Sequence, residues 1–144
     1  MKIHALFDAL LEKKGSDLHL GVGYPPLGRV RGDLVPLRPG ILTNEEIEEM
    51  LFEIASDDQI KTITGTLDLD FAYSYGEKAR FRANYFYKAT GIAAVFRTIP
   101  TKILSLEELG TPDAIRKLAE RMSGLVLVTG PTGSGKSTTL AGMI

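Results

Sequence analysis

Residues 67–98 read LDLDFAYSYGEKARFRANYFYKATGIAAVFRT, and this stretch decides the fold class. Leu67, Leu69, Phe71 and Tyr73 alternate with Asp68, Asp70, Ala72 and Ser74, the two-residue period of a strand with one buried and one wet face. Gly76-Glu77 turns the chain into a second strand, Ala79 to Tyr87. Lys88-Ala89-Thr90-Gly91 turns it again, into Ile92 to Thr98. The expectation is a three-stranded antiparallel meander.

Upstream, Ile3, Leu6, Phe7, Leu10 and Leu11 recur at helical spacing, followed by Lys13-Lys14 and a glycine stop at Gly15. Asp17 to Leu20 and Leu27 to Arg31 read as short strands, with Gly32-Asp33 turning the second back. Thr43 and Glu46 form a capping box, with Leu42 and Ile47 placed as a hydrophobic staple. Ile47, Met50, Leu51 and Ile54 then give a buried stripe, and a short helix is expected over Asp57 to Ile63. Helices plus antiparallel strands predict an α+β domain over residues 1–98.

Residues 99–111 read as a linker that carries a second capping box, Ser105 to Glu108. A helix is expected to start at Thr111-Pro112, with Ile115, Leu118, Ala119 and Met122 as its apolar face. Leu125 to Val128 is apolar throughout, the pattern of a strand buried on both faces between parallel neighbours. Residues 112–144 therefore read as the start of an α/β domain. Those neighbours would come later in the chain, so the strand is expected to be unpaired here.

The totals exclude several classes. The chain has 144 residues, 44% apolar and 24% charged, with net charge -1 and no cysteine. That composition suits a soluble globular chain without disulfides or thiolate metal sites. Neither a signal peptide nor a membrane span is present. Net charge -1 and the absence of exposed aromatics among the bases from Lys78 to Lys102 argue against a nucleic-acid surface.

Gly130-Pro131-Thr132-Gly133-Ser134-Gly135-Lys136-Ser137 matches G-x-x-x-x-G-K-[ST], after an apolar run and before a helix start. The glycines let backbone N–H groups wrap a phosphate, and the helix opening near Gly135 aims its positive end at the same anion. Lys136 supplies charge to the outer phosphates, Ser137 a hydroxyl to Mg²⁺, and Thr138 continues the loop's polar edge. ATP and Mg²⁺ are the ligands this pattern calls for. No acid, histidine or arginine follows Ser137, so this chain by itself is expected to lack ATPase activity.

The run Leu125 to Ala141 resembles the ATPases of type II secretion systems and type IV pili. Ser16-Asp17-Leu18-His19-Leu20, Asp68 to Ala72, Ala79 to Arg82 and Phe96 to Pro100 are most similar to the pilus-retraction members of that family. The resemblance covers essentially the whole chain. It implies a PAS-like domain followed by a RecA-like ATPase domain, in a homo-hexameric motor that drives pilus retraction and twitching motility. It also implies a cytoplasmic location, peripheral to the inner membrane, beside a platform protein of the pilus machine. The chain lacks the acidic, Walker B and histidine boxes of the family. The alternative is a non-catalytic oligomerisation or interaction domain with a vestigial P-loop.

Arg80, Arg82 and Asn84 share a strand face, and the hairpin register sets Arg82 opposite Arg97. Opposed like charges are destabilising, which suggests an anion between them. A solvated face balanced by Asp68 and Asp70 is the other reading. The resemblance implies that arginines of this domain approach the nucleotide of a hexamer neighbour. Asp17 and His19 share a strand face and are expected to make structural hydrogen bonds. Tyr85 and Tyr87 are expected in the core, and His4 on an exposed helix face.

Overall fold

The computed structural model describes residues 2–99, 103–131 and 134–144. They form two compact units, Met1–Ile99 and Pro100–Ile144. The first contains α1 (Lys2–Glu12), β1 (Asp17–Leu20), β2 (Leu27–Val30), β3 (Asp33–Pro36), α2 (Asn44–Phe52), α3 (Asp57–Thr66), β4 (Asp68–Tyr75), β5 (Ala79–Lys88) and β6 (Gly91–Ile99). The strands make one antiparallel sheet in the order β3-β2-β1-β6-β5-β4. The chain is α+β, and the expected meander is the β4-β5-β6 half of that sheet.

Each helix end follows from local chemistry. Helix α1 stops at Glu12, so Lys13 and Lys14 lie past it, and Lys14 rather than a glycine takes the left-handed turn (φ 53°). Gly15 is needed for close approach, because a Cβ there would sit 3.0 Å from the Arg29 carbonyl oxygen. Helix α2 carries the expected capping box: Thr43 Oγ1 accepts from the Glu46 amide at 3.2 Å, and Glu46 Oε2 accepts from the Thr43 amide at 2.9 Å. Ile47, Met50 and Leu51 are buried, whereas Ile54 is only partly so. Helix α3 has its own box, Ser56 with Gln59, and runs on to Thr66 instead of ending at Ile63. Leu67 closes it in a left-handed conformation (φ 64°) and is 55% exposed, so the buried alternation of β4 starts at Leu69.

The core lies between the helices and one sheet face. Phe7 of α1 stacks on Phe81 of β5 with ring centroids 4.3 Å apart and meets Phe96 of β6 edge-on at 5.1 Å. Burying each such ring contributes roughly 1.5–3 kcal/mol. Tyr85 is fully buried and donates its hydroxyl to the Leu51 carbonyl at 3.2 Å. Along β5, Ala79, Phe81, Ala83 and Tyr85 point inward while Arg80 and Arg82 point out, so the sheet has one apolar and one polar face.

The second unit contains α4 (Asp113–Ala119) and α5 (Lys136–Met143). Ser105 and Glu108 make the reciprocal hydrogen bonds expected of them, at 2.9 and 3.2 Å, across a series of turns. Thr111 does not cap α4: its hydroxyl donates to the Leu106 carbonyl, and Pro112 is the N-cap. Met122 lies past the helix and is exposed. The pattern at Leu125 to Val128 does not form a strand, and Leu125 and Leu127 are 82% and 75% exposed. A strand needs a neighbour for its N–H and C=O groups, and among the described residues none pairs with this segment. Most of the expected junction Ile99-Pro100-Thr101-Lys102 lies outside the described residues.

Candidate phosphate-binding loop and arginine face

The loop from Gly130 ends at the first turn of α5. Gly130 (φ 153°) and Gly135 (φ 87°) both take backbone conformations that side chains disfavour, and Gly135 is the N-cap. A Cβ on Gly130 would lie 2.8 Å from Ser134 Oγ, a hydroxyl that would have to turn aside, so the backbone conformation is the stronger reason for glycine there. Lys136 opens the helix and turns back across the loop, donating from Nζ to the Gly130 and Pro131 carbonyls, each at 2.6 Å. Ser134 N–H donates to Pro131 O at 3.3 Å. Ser137 and Thr138 are exposed at the start of the helix, while Thr132 and Gly133 lie outside the described residues. These groups fit a phosphate: a tight glycine turn, a helix N-terminus and an ammonium already aimed across the turn. For Mg²⁺ they supply one hydroxyl, from Ser137, and among the described residues no cluster of His, Asp or Glu could hold a metal ion. The other ligands of such an ion would be phosphate oxygens and water.

The arginines lie on the polar sheet face of the first unit. Arg82 pairs directly with Arg97 across β5 and β6, in the register expected from the hairpin, although the turn itself is the two residues Ala89-Thr90. Each arginine has its own carboxylate on the far side. Arg82 grips Asp70 side-on, Nε at 3.0 Å and Nη2 at 2.5 Å from Oδ2. Arg97 donates from Nε to Asp17 Oδ1 at 2.9 Å. The opposed cations are thus balanced from within the protein and need no external anion to coexist. Arg29 of β2 flanks Asp17 on its other side, Nε to Oδ2 at 3.6 Å. Arg80 pairs with no acid among the described residues.

Asp17 is the buried charge of this face, 5% exposed. Burial works to raise its carboxyl, but hydrogen bonds from Ser16 Oγ and from Arg97 outweigh burial and hold it below the usual carboxylate range. The Arg82 guanidinium likewise lowers Asp70. His19 shares the face, and burial lowers its imidazole. Its Nε2 is buried without a partner among the described residues, contrary to the expected hydrogen bond. His4 is not free on its helix either: Nε2 lies 2.8 Å from the Tyr73 hydroxyl, and the ring packs 4.6 Å from that of Tyr75. The roles of Asp17 and Arg29 were not legible locally, because they depend on β1 lying beside β6, far away in sequence; Asp70 balances Arg82 across the adjacent strands β4 and β5, as the solvated-face reading expects.

Three comparisons place this geometry. The family model described as Type II/IV secretion system protein matches residues 64–144. The type IV pilus retraction ATPase PilT of Pseudomonas aeruginosa is 43% identical over all 144 residues, which span 42% of that protein. A twitching motility protein of Neisseria gonorrhoeae is 49% identical over 83% of the chain and 32% of its own length. Among solved structures, the pilus retraction motor PilT with bound ADP superposes with a TM-score of 0.85 at 38% identity, over 99% of this chain and 42% of that one. The ATPase DotB of Legionella pneumophila does so with a TM-score of 0.78 at 28% identity, over 96% and 40% of the two chains. The chain thus spans about two fifths of the PilT and DotB chains it matches. No helix among the described residues is long and apolar enough to cross a membrane. A glycine loop opening on Lys136, a sheet that superposes on a pilus motor and a family match over more than half its length agree: the chain belongs to the type II/IV secretion system protein family.

Proposed function

We propose that this chain is part of an ATP-driven motor subunit that powers type IV pilus retraction. The observation that carries the reading is the Gly130–Ser137 loop with Lys136 at the start of α5, in a chain 43% identical throughout to a pilus retraction ATPase. In this reading residues 1–98 form the PAS-like domain, 99–111 join it to the next, and 112–144 open the RecA-like ATPase domain. Gly130 to Thr138 would hold the phosphates of ATP, Lys136 would neutralise their charge, and Ser137 would offer its hydroxyl to Mg²⁺, whose chemistry there would be to withdraw charge from the phosphates. Arg82 and Arg97, with Arg80 beside them, face the nucleotide of a neighbouring subunit in a homo-hexamer and stabilise charge that develops in transfer. The assembly works in the cytoplasm against an inner-membrane platform protein. In this reading the 144 residues alone have no turnover, supported by the lack, among the described residues, of any group of three or more His, Asp or Glu that could hold a metal ion.

The test is ATP turnover and nucleotide binding in the full-length assembly. Lys136→Ala should abolish both. Arg97→Ala and Arg82→Ala should keep binding and lose turnover, by about 10³-fold if they act as arginine fingers do elsewhere. Undiminished turnover in Lys136→Ala would end the reading.

A further inference from the structure

The two opposed arginines are held in different ways. Arg82 presents a side-on pair, Nε and Nη2, to Asp70, so the edge best suited to two anionic oxygens is already filled. Arg97 is gripped by Nε alone. Its two terminal amino groups make no hydrogen bond among the described residues, and its side chain is 72% exposed. The group that grips it is rigid. Asp17 sits on β1 in direct register with both Arg29 and Arg97, its side chain is 7% exposed, and its second oxygen accepts from Ser16 Oγ at 2.6 Å.

We propose that Asp17 is the positioning residue for Arg97, anchoring the guanidinium at Nε so that its two free amino groups face outward to take the outer phosphates of a nucleoside triphosphate. The proposal rests on the reading of Arg97 as a phosphate-facing arginine. An exposed arginine has many rotamers, and a fixed Nε removes most of them before the anion arrives, which is what positioning contributes to rate. Asp17 also separates two cations: without it the row across β2-β1-β6-β5 would hold three positive charges, Arg29, Arg97 and Arg82, in its four places and no carboxylate. Asp70 acts differently, since it occupies the Arg82 fork and must release it before that residue can bind an anion.

Two measurements test this. In the 144-residue chain, ¹⁵N-detected arginine signals should show a slowly exchanging Arg97 Nε–H, identified by its absence in Arg97→Lys. Asp17→Ala should remove it, Asp17→Asn should weaken it, and Asp70→Ala should leave it. In the full-length assembly, Asp17→Ala should lower kcat about 10- to 100-fold with KM for ATP nearly unchanged, Asp17→Asn should lower it less, and Asp17→Ala should add nothing to Arg97→Ala. A merely structural Asp17 would reduce the folded fraction and multiply the Arg97→Ala loss. An Nε–H signal unchanged in Asp17→Ala, or losses that multiply, overturns the proposal while leaving the motor reading intact. Full turnover in Arg97→Ala instead removes the arginine from the reaction, and the task given to Asp17 falls with it.

Discussion

Gly91→Ala should destabilise the first unit by an amount that depends on one distant side chain. Gly91 has φ 129°, which a side chain adopts at a cost of about 1–3 kcal/mol. A Cβ there would overlap Asn44 Oδ1 and come within 2.9 Å of Asn44 Cγ. Asn44 opens α2, and its Oδ1 accepts from the Ile92 amide at 2.9 Å. Pushing it aside strips a partner from a part-buried N–H, worth about 1–3 kcal/mol. The expected total is about 2–6 kcal/mol, at roughly 4–8 °C in Tm for each kcal/mol in a domain of this size. In an Asn44→Ala background the hydrogen bond is already gone, and the nearest remaining atom is Val22 Cγ2 at 3.2 Å. Gly91→Ala should then cost at least about 1 kcal/mol less, a coupling typical of residues in contact. Thermal and urea unfolding of the four proteins measure it. A Gly91→Ala cost below about 0.5 kcal/mol, or an equal cost in both backgrounds, would show that the Asn44 contact does not constrain this turn.

Two further expectations follow from named groups. Because the folded Asp17 carboxyl lies below its unfolded value, its contribution is complete above about pH 4 and is lost as pH falls through the lowered folded value. The stability gap between wild type and Asp17→Asn, read as urea midpoints, should therefore shrink on going from pH 7 to acid, and a constant gap would contradict the pairing. Amide exchange at Leu125 to Thr129 should be fast in a dilute monomeric sample, because these residues form no strand ladder; protection there would mean the segment is docked.

Much of the first unit was legible because its signals are local. The period-two runs of β4 to β6, the Thr43-Glu46 box and the stripe of α1 are each decided within a few residues, and the Arg82–Arg97 pairing follows from hairpin arithmetic alone. What escaped depends on distance or on a competing local signal. β3 is only four residues with Pro36 at its end, too short to show a period. Leu67 looked like the first buried strand residue but closes a helix: it takes the left-handed conformation and donates its N–H to the Ile63 carbonyl. The anchoring of Arg97 by Asp17 joins positions 80 residues apart, which no local pattern encodes. The Gly130–Ser137 motif was readable letter by letter, but the turn of Lys136 onto its own loop carbonyls was not.

The strand order also bears on how the chain finds its fold. β1 to β3 and β4 to β6 are each a local meander, and the two halves meet only where β1 pairs with β6, Leu18 against Phe96. Loop-closure entropy grows with the logarithm of separation, so a contact across 80 residues costs about 2 kcal/mol more to close than one across ten. Hairpins on either side can form on their own clock, whereas the seam between them raises the contact order and sets the pace. The Asp17–Arg97 pair spans that seam, so the charge network of the polar face assembles only when the two meanders have joined.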